Sequence, residues 1–134
     1  MNPETPPFPE HTDLERFRAW IKNFPYVICF VHSLWSMTSH LARIRFNQLR
    51  EQFPNLIYLE IDNRSGHSFI YDWLNQQRGQ LALRADFLGK EYPRSMIHGN
   101  GEIFGVRNGN LEWFESSLNF ISMEELKVTG WLDE

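Results

Sequence analysis

The chain has 134 residues, of which 42% are hydrophobic and 15% aromatic; this describes one folded domain with a sizeable core and excludes an intrinsically disordered chain. Its formal net charge of −4 excludes a general attraction to nucleic acid or to an anionic membrane surface. The single cysteine, Cys29, excludes an intrachain disulfide and a cysteine-based zinc site, and fits a reducing, cytoplasmic setting.

The first residues, MNPETPPFPEHTD, have no basic segment followed by an apolar core, so no secretory signal is expected. No apolar run is long enough to cross a bilayer. Pro3, Pro6, Pro7 and Pro9 make residues 1–11 an expected loose arm ahead of a domain over 12–134. Thr12-Asp13-Leu14-Glu15 has the form of a capping box. Leu14, Phe17 and Ile21 recur at helical spacing beside Trp20, which predicts a helix over 12–23 that Pro25 stops. Tyr26 to Val31 is apolar at every position, as in a strand buried on both faces of a parallel sheet. A second helix is expected over 36–53, with Met37, Leu41, Ile44 and Leu49 as its apolar stripe, Phe53 near its end and Pro54 closing it. Arg43, Arg45 and Arg50 on that helix read as a solvated face rather than a phosphate-binding stripe. Residues 55–62, NLIYLEID, predict a second strand. Strand, helix and strand with short links make a right-handed parallel crossover.

A third helix is predicted over 67–77, with Phe69, Ile70, Trp73 and Leu74 on one side and Gly79 ending it. Residues 80–92 are ambiguous; Leu81, Ala85 and Leu88 fit another short helix. The segments SMIH and EIFGV around Gly99-Asn100-Gly101 read as an antiparallel hairpin. Ser122 and Glu125 form a second capping box, with Ile121 and Leu126 at the staple positions of a last helix. The order helix, strand, helix, strand, helix, strand, strand, helix predicts an α/β fold: a mixed sheet of about four strands with helices on both faces.

That order, with two local motifs, resembles the thioredoxin fold. Thioredoxins carry Trp-Cys-x-x-Cys where the first central strand meets its helix; Trp35-Ser36-Met37-Thr38-Ser39 stands at the same junction with the same spacing. They also place a cis-proline immediately before the third strand, and Tyr92-Pro93-Arg94 looks like that segment, with Pro93 as the candidate. The resemblance runs over about residues 12–133 and implies a thioredoxin-like three-layer α/β/α sandwich. Three departures stand against it. Serines replace both cysteines, and a serine hydroxyl neither attacks a disulfide nor resolves a mixed one at neutral pH. Phe30 occupies the strand position of the buried acid that helps thioredoxins move protons. More residues separate Asp62 from Pro93 than in a typical thioredoxin, which implies an insertion around 78–92.

The resemblance therefore implies a non-catalytic protein-binding module, such as an adaptor, assembly factor or chaperone, and not a dithiol–disulfide oxidoreductase. Its binding residues would be Trp35, Ser36, Met37, Thr38 and Ser39 in the loop, with Tyr92, Pro93 and Arg94 at an edge where an extended peptide adds as a strand. The expected partner is another protein or peptide segment, and no cofactor, nucleic acid or membrane is expected.

The alternative is a glutathione- or small-thiol-binding protein or enzyme that uses the helix N-terminus at Ser36. Ser36 is equally suited to be a plain N-cap. Ser36 and His40 share a helix face, but no orienting third group or oxyanion motif accompanies them. Cys29 reads as a buried, inert thiol. His11, His32, His40, His67 and His98 show no zinc-ligand spacing. A third reading has Trp113, Phe114 and Trp131 dock the chain into an oligomer.

Overall fold

The structure, a computed structural model, describes residues 14–33, 35–62, 69–81, 101–115 and 118–120, with positions 122, 124, 126 and 131. The first helix, α1 (Leu14–Ile21), buries Phe17, Trp20 and Ile21, the spacing read from the sequence. Strand β1 (Tyr26–His32) is buried at every residue after the first. Helix α2 (Met37–Gln52) follows, with Ser36 as its N-cap. Strand β2 (Tyr58–Asp62), helix α3 (Phe69–Leu81), strands β3 (Ile103–Arg107) and β4 (Asn110–Glu115) and a 3-10 turn at Leu118–Phe120 complete the order.

Among the described residues the sheet has four strands in the order β2-β1-β3-β4. Strand β1 lies parallel to β2, with Cys29 opposite Leu59, and antiparallel to β3, with Cys29 opposite Phe104. Central placement explains why β1 lacks the polar alternation of a half-buried strand. Its side chains alternate between two cores (the pleat requires it). Val27, Cys29 and Val31 pack with Phe17, Trp20, Ile70, Trp73 and Leu74 of α1 and α3. Ile28 and Phe30 pack on the other side with Ala42, Phe46 and Leu49 of α2 and with Trp113, Leu118, Leu126 and Trp131. This is a three-layer α/β/α sandwich around a mixed sheet.

Four expectations need correction. Helix α3 continues through Gly79 to Leu81; one glycine costs a helix only about 1 kcal/mol, and α3 is anchored by Ile70, Trp73 and Leu74 in the core. The hairpin is one strand later than the sequence suggested. Its turn is Asn108-Gly109, at φ 51° and 84°, between β3 and β4, which pair Arg107 with Asn110; both turn residues at positive φ are what a two-residue hairpin requires. SMIH and Tyr92-Pro93-Arg94 lie outside the described residues, as do the arm at 1–11 and the part of the 78–92 segment beyond α3. On α2, Ser39, Ala42, Phe46 and Leu49 are the buried face, whereas Met37, Leu41 and Ile44 point outward and are exposed. Finally, Trp113, Phe114 and Trp131 are buried, so they build the core and cannot be a docking surface.

Near residue 126, the Leu126 N–H donates to the Ser122 carbonyl (3.0 Å), a helical turn, and Leu126 is buried; Ile121 and Glu125 of the expected capping motif lie outside the described residues. No helix among the described residues is long and apolar enough to cross a membrane.

Candidate functional site

Ser33, Trp35, Ser36, Met37, Thr38 and Ser39 fall at the junction where β1 ends and α2 begins; the sequence reading named 35–39 there and not Ser33. Ser36 has extended backbone (φ −110°, ψ 121°), and its hydroxyl accepts the Ser39 N–H (3.2 Å). It is an N-cap, satisfying one of the amides that a helix start leaves open. Its carbonyl accepts the His40 N–H at 3.1 Å.

Ser39 turns inward and is fully buried. Its hydroxyl accepts the Ser33 N–H (2.8 Å) and lies 3.1 Å from His32 Nδ1. The hydroxyl can serve His32 Nδ1 either as donor or, through its second lone pair, as acceptor, according to the imidazole tautomer. His32 Nε2 is buried with no hydrogen-bond partner among the described residues. The His32 ring meets the His40 ring edge-on at 4.8 Å. Its pKa is held below the ordinary histidine value, first by burial and then by the Arg43 charge and His40, with Glu60 and Asp62 pulling the other way. Imidazole is thus the resting form here.

Beneath this junction Phe30 is buried and stacks on Phe46, ring centroids 4.7 Å apart. An aromatic pair fills the place the resemblance assigns to a proton-carrying acid. The described residue two positions ahead of β3 is Gly101, at φ +79°. A Cβ there would lie 2.4 Å from the Ala42 Cβ and 3.4 Å from the Ser39 Cα, so the chain passes closer to α2 than any side chain allows. Glu102, next to it, is fully buried, and its carbonyl accepts the Val31 N–H at 2.9 Å. Thr38 is tied to the far side of the site: its carbonyl accepts from Asn119 Nδ2 (2.9 Å).

The outer rim is apolar. Trp35 is 53% and Met37 73% exposed. Cys29 lies within the α1/α3 core, where burial pushes its thiol far above the usual range. No group of three or more His, Cys, Asp or Glu among the described residues is arranged to hold a metal ion. Of the predicted site residues, 35–39 therefore come together, while Tyr92, Pro93 and Arg94 lie outside the described residues. The sequence reading passed over His32 and Gly101. The signal for His32 was a polar residue closing a wholly apolar strand; for Gly101 it was the second glycine of a motif read as a turn.

No family profile matches the chain, and no curated protein does. Solved structures match in fold. A putative oxidoreductase with a thioredoxin fold is 18% identical, with 88% of each chain covered and a TM-score of 0.50. Thioredoxin f2 of Chlamydomonas reinhardtii is 12% identical over 88% of this chain and 89% of its own, at a TM-score of 0.51. A third match, a ferredoxin:thioredoxin reductase and thioredoxin f2 complex, is 15% identical over 88% of this chain and 87% of that one, at 0.50. The chain has the thioredoxin fold.

Proposed function

We propose that this protein is a redox-inactive, non-catalytic binding module for another protein, working through the 35–39 loop together with Tyr92, Pro93 and Arg94. One observation carries the reading. The Ser39 hydroxyl is buried and engaged by Ser33 and His32, while Trp35 and Met37 beside it face solvent. The polar groups at the junction hold the backbone in shape, and the apolar groups are offered outward. Disulfide exchange needs an accessible thiolate, and the one thiol of the chain is buried in a different layer. Fold alone does not assign function, so the reading rests on these side chains. A cytoplasmic setting is part of the same proposal.

Affinity capture from the source extract tests it, with wild type beside Trp35→Ala and Arg94→Glu. A protein retained by wild type and lost from both variants supports the loop and edge as the binding surface. Equal retention by all three, or none by any, removes that support. The Ser36 hydroxyl retains its own proton to donate, so the small-thiol alternative is separated by calorimetry with glutathione. No saturable heat at millimolar ligand is expected; saturable binding reverses the preference.

A further inference from the structure

We propose that His32 is an acid-operated latch on the junction between β1 and α2: when its ring takes up a proton it leaves its buried seat, Ser39 releases Ser33, and Trp35 is freed while the sandwich stays folded. The release belongs to the protein alone. Its regulatory consequence, loss of the partner in acid, rests on the binding-module reading.

One side chain joins the moving parts. The Ser39 hydroxyl holds the Ser33 N–H at 2.8 Å and meets His32 Nδ1 at 3.1 Å. The Ser36 N–H donates to the Ser33 carbonyl (3.1 Å), so Trp35 lies in a stretch whose attachment to β1 passes through Ser33. Helix α2 has anchors of its own: Ala42, Phe46 and Leu49 lie in the core, and Asn119 donates to the Thr38 carbonyl. Opening the junction therefore breaks few bonds and uncovers neither core, whereas unfolding uncovers both. Local opening is the cheaper route for a ring that must reach water.

The surroundings of the ring suit imidazole and not imidazolium. His32 is 3% exposed, and its Nε2 has no hydrogen-bond partner among the described residues. With the proton on Nδ1, the neutral ring leaves only a lone pair there. The cation has an N–H at both nitrogens, and a buried charged N–H without an acceptor is far more costly. Helix α2 brings His40, its ring edge-on at 4.8 Å, and Arg43; both oppose a charge on His32. Strand β2 brings Glu60 and Asp62, which favour it, but both oxygens of Glu60 are engaged by Arg43, at 3.0 and 3.2 Å. On β1 the neighbouring ring is Phe30, which is neutral, with centroids 6.4 Å apart. The buried Glu102 stands opposite Val31, whose side chain belongs to the other core. His40 is itself exposed, so the ring reaches water by displacing one surface side chain.

The test is amide hydrogen exchange of the full chain, read by NMR from about pH 7.5 to about pH 5. Protection of the Ser33 amide, corrected for its intrinsic rate, should be lower than that of Ile28, whose N–H is bonded to the Ile57 carbonyl inside the sheet (2.9 Å). It should fall about tenfold per pH unit below about pH 6.5, until the buried ring itself titrates. Acrylamide quenching of Trp35 should rise over the same range at constant far-UV circular dichroism, and Trp35→Phe should remove the rise. His32→Gln cannot titrate and should flatten both signals; if that variant does not fold, the wild-type exchange is the deciding measurement. Equal protection of Ser33 and Ile28 overturns the latch, because opening is then unfolding. So does Ser33 protection that ignores pH, or a pH dependence that persists in folded His32→Gln. A protein captured at about pH 7.5 should be released by the wild type at about pH 5.5 and kept by His32→Gln. Retention by wild type, or release from both, overturns the regulatory consequence. A working latch with nothing captured at neutral pH removes the binding-module reading alone.

Discussion

The Ser39 hydroxyl joins three pieces of chain through two hydrogen bonds: the Ser33 amide after β1, the His32 ring at the end of β1, and α2 itself. Ser39→Ala removes the acceptor of a buried amide and the partner of a buried imidazole. A loss of about 1–3 kcal/mol is expected, read as a lower midpoint in urea unfolding. Ser36→Ala removes only the helix cap and should cost about 1 kcal/mol. A larger loss at 36 than at 39 contradicts this assignment of roles. His32 makes stability depend on pH. Its folded pKa lies below its unfolded value, because burial and the neighbouring Arg43 and His40 disfavour the cation more than Glu60 and Asp62 favour it. The unfolded chain therefore takes up a proton first on acidification. The contribution is complete above about pH 6.5 and is lost as pH falls from there through the folded pKa. His32→Leu should flatten the decline of the thermal midpoint below pH 6.5; an unchanged slope would remove His32 as its source.

Helix α2 carries two apolar sets at helical spacing, and this is where sequence reading met its limit. Side-chain size favours Met37, Leu41 and Ile44 as the core stripe, yet the sheet takes Ser39, Ala42, Phe46 and Leu49. Periodicity gives the existence of a stripe and not which of two faces is inward. The choice depends on Gly101, which comes so near that only small residues fit at 39 and 42. The hairpin failed for a similar reason. Two Asn-Gly pairs, at 100–101 and 108–109, carry the same local signal, and only the pairing of β3 with β1 distinguishes them. Elsewhere the local chemistry was sufficient: the both-sided burial of β1, the end of α1 before Pro25 and the cap at Ser36 were all legible. At the site the loop 35–39 was legible from its spacing, while the inward turn of Ser39 needed His32 as partner. In β3, Gly105 lies opposite Trp113, and a Cβ there would come within 2.1 Å of the indole nitrogen. Gly105→Ala should cost about 1–3 kcal/mol through overpacking, measured by urea unfolding. A neutral result would mean that the indole moves aside freely.

The whole molecule closes a mixed sheet between two cores, and its most central strand carries the single thiol. Cys29 is fully buried and faces the α1/α3 layer rather than the junction. The native protein should therefore not react with an aromatic disulfide reagent on the timescale of free cysteine. Its labelling rate in increasing denaturant should follow global unfolding. Fast labelling of the native state would show that this face of the sheet opens locally, and would undercut the assignment of the thiol as inert.

The division of the tryptophans between these cores and the loop has an optical consequence. Trp20, Trp73, Trp113 and Trp131 are buried and only Trp35 is open to water, so the emission separates into a blue, shielded component and a red, quenchable one. Acrylamide should extinguish the red component first, and Trp35→Phe should remove it. Any partner that covers the loop, whatever its chemistry, then announces itself as a blue shift and a loss of quenching in the unlabelled protein.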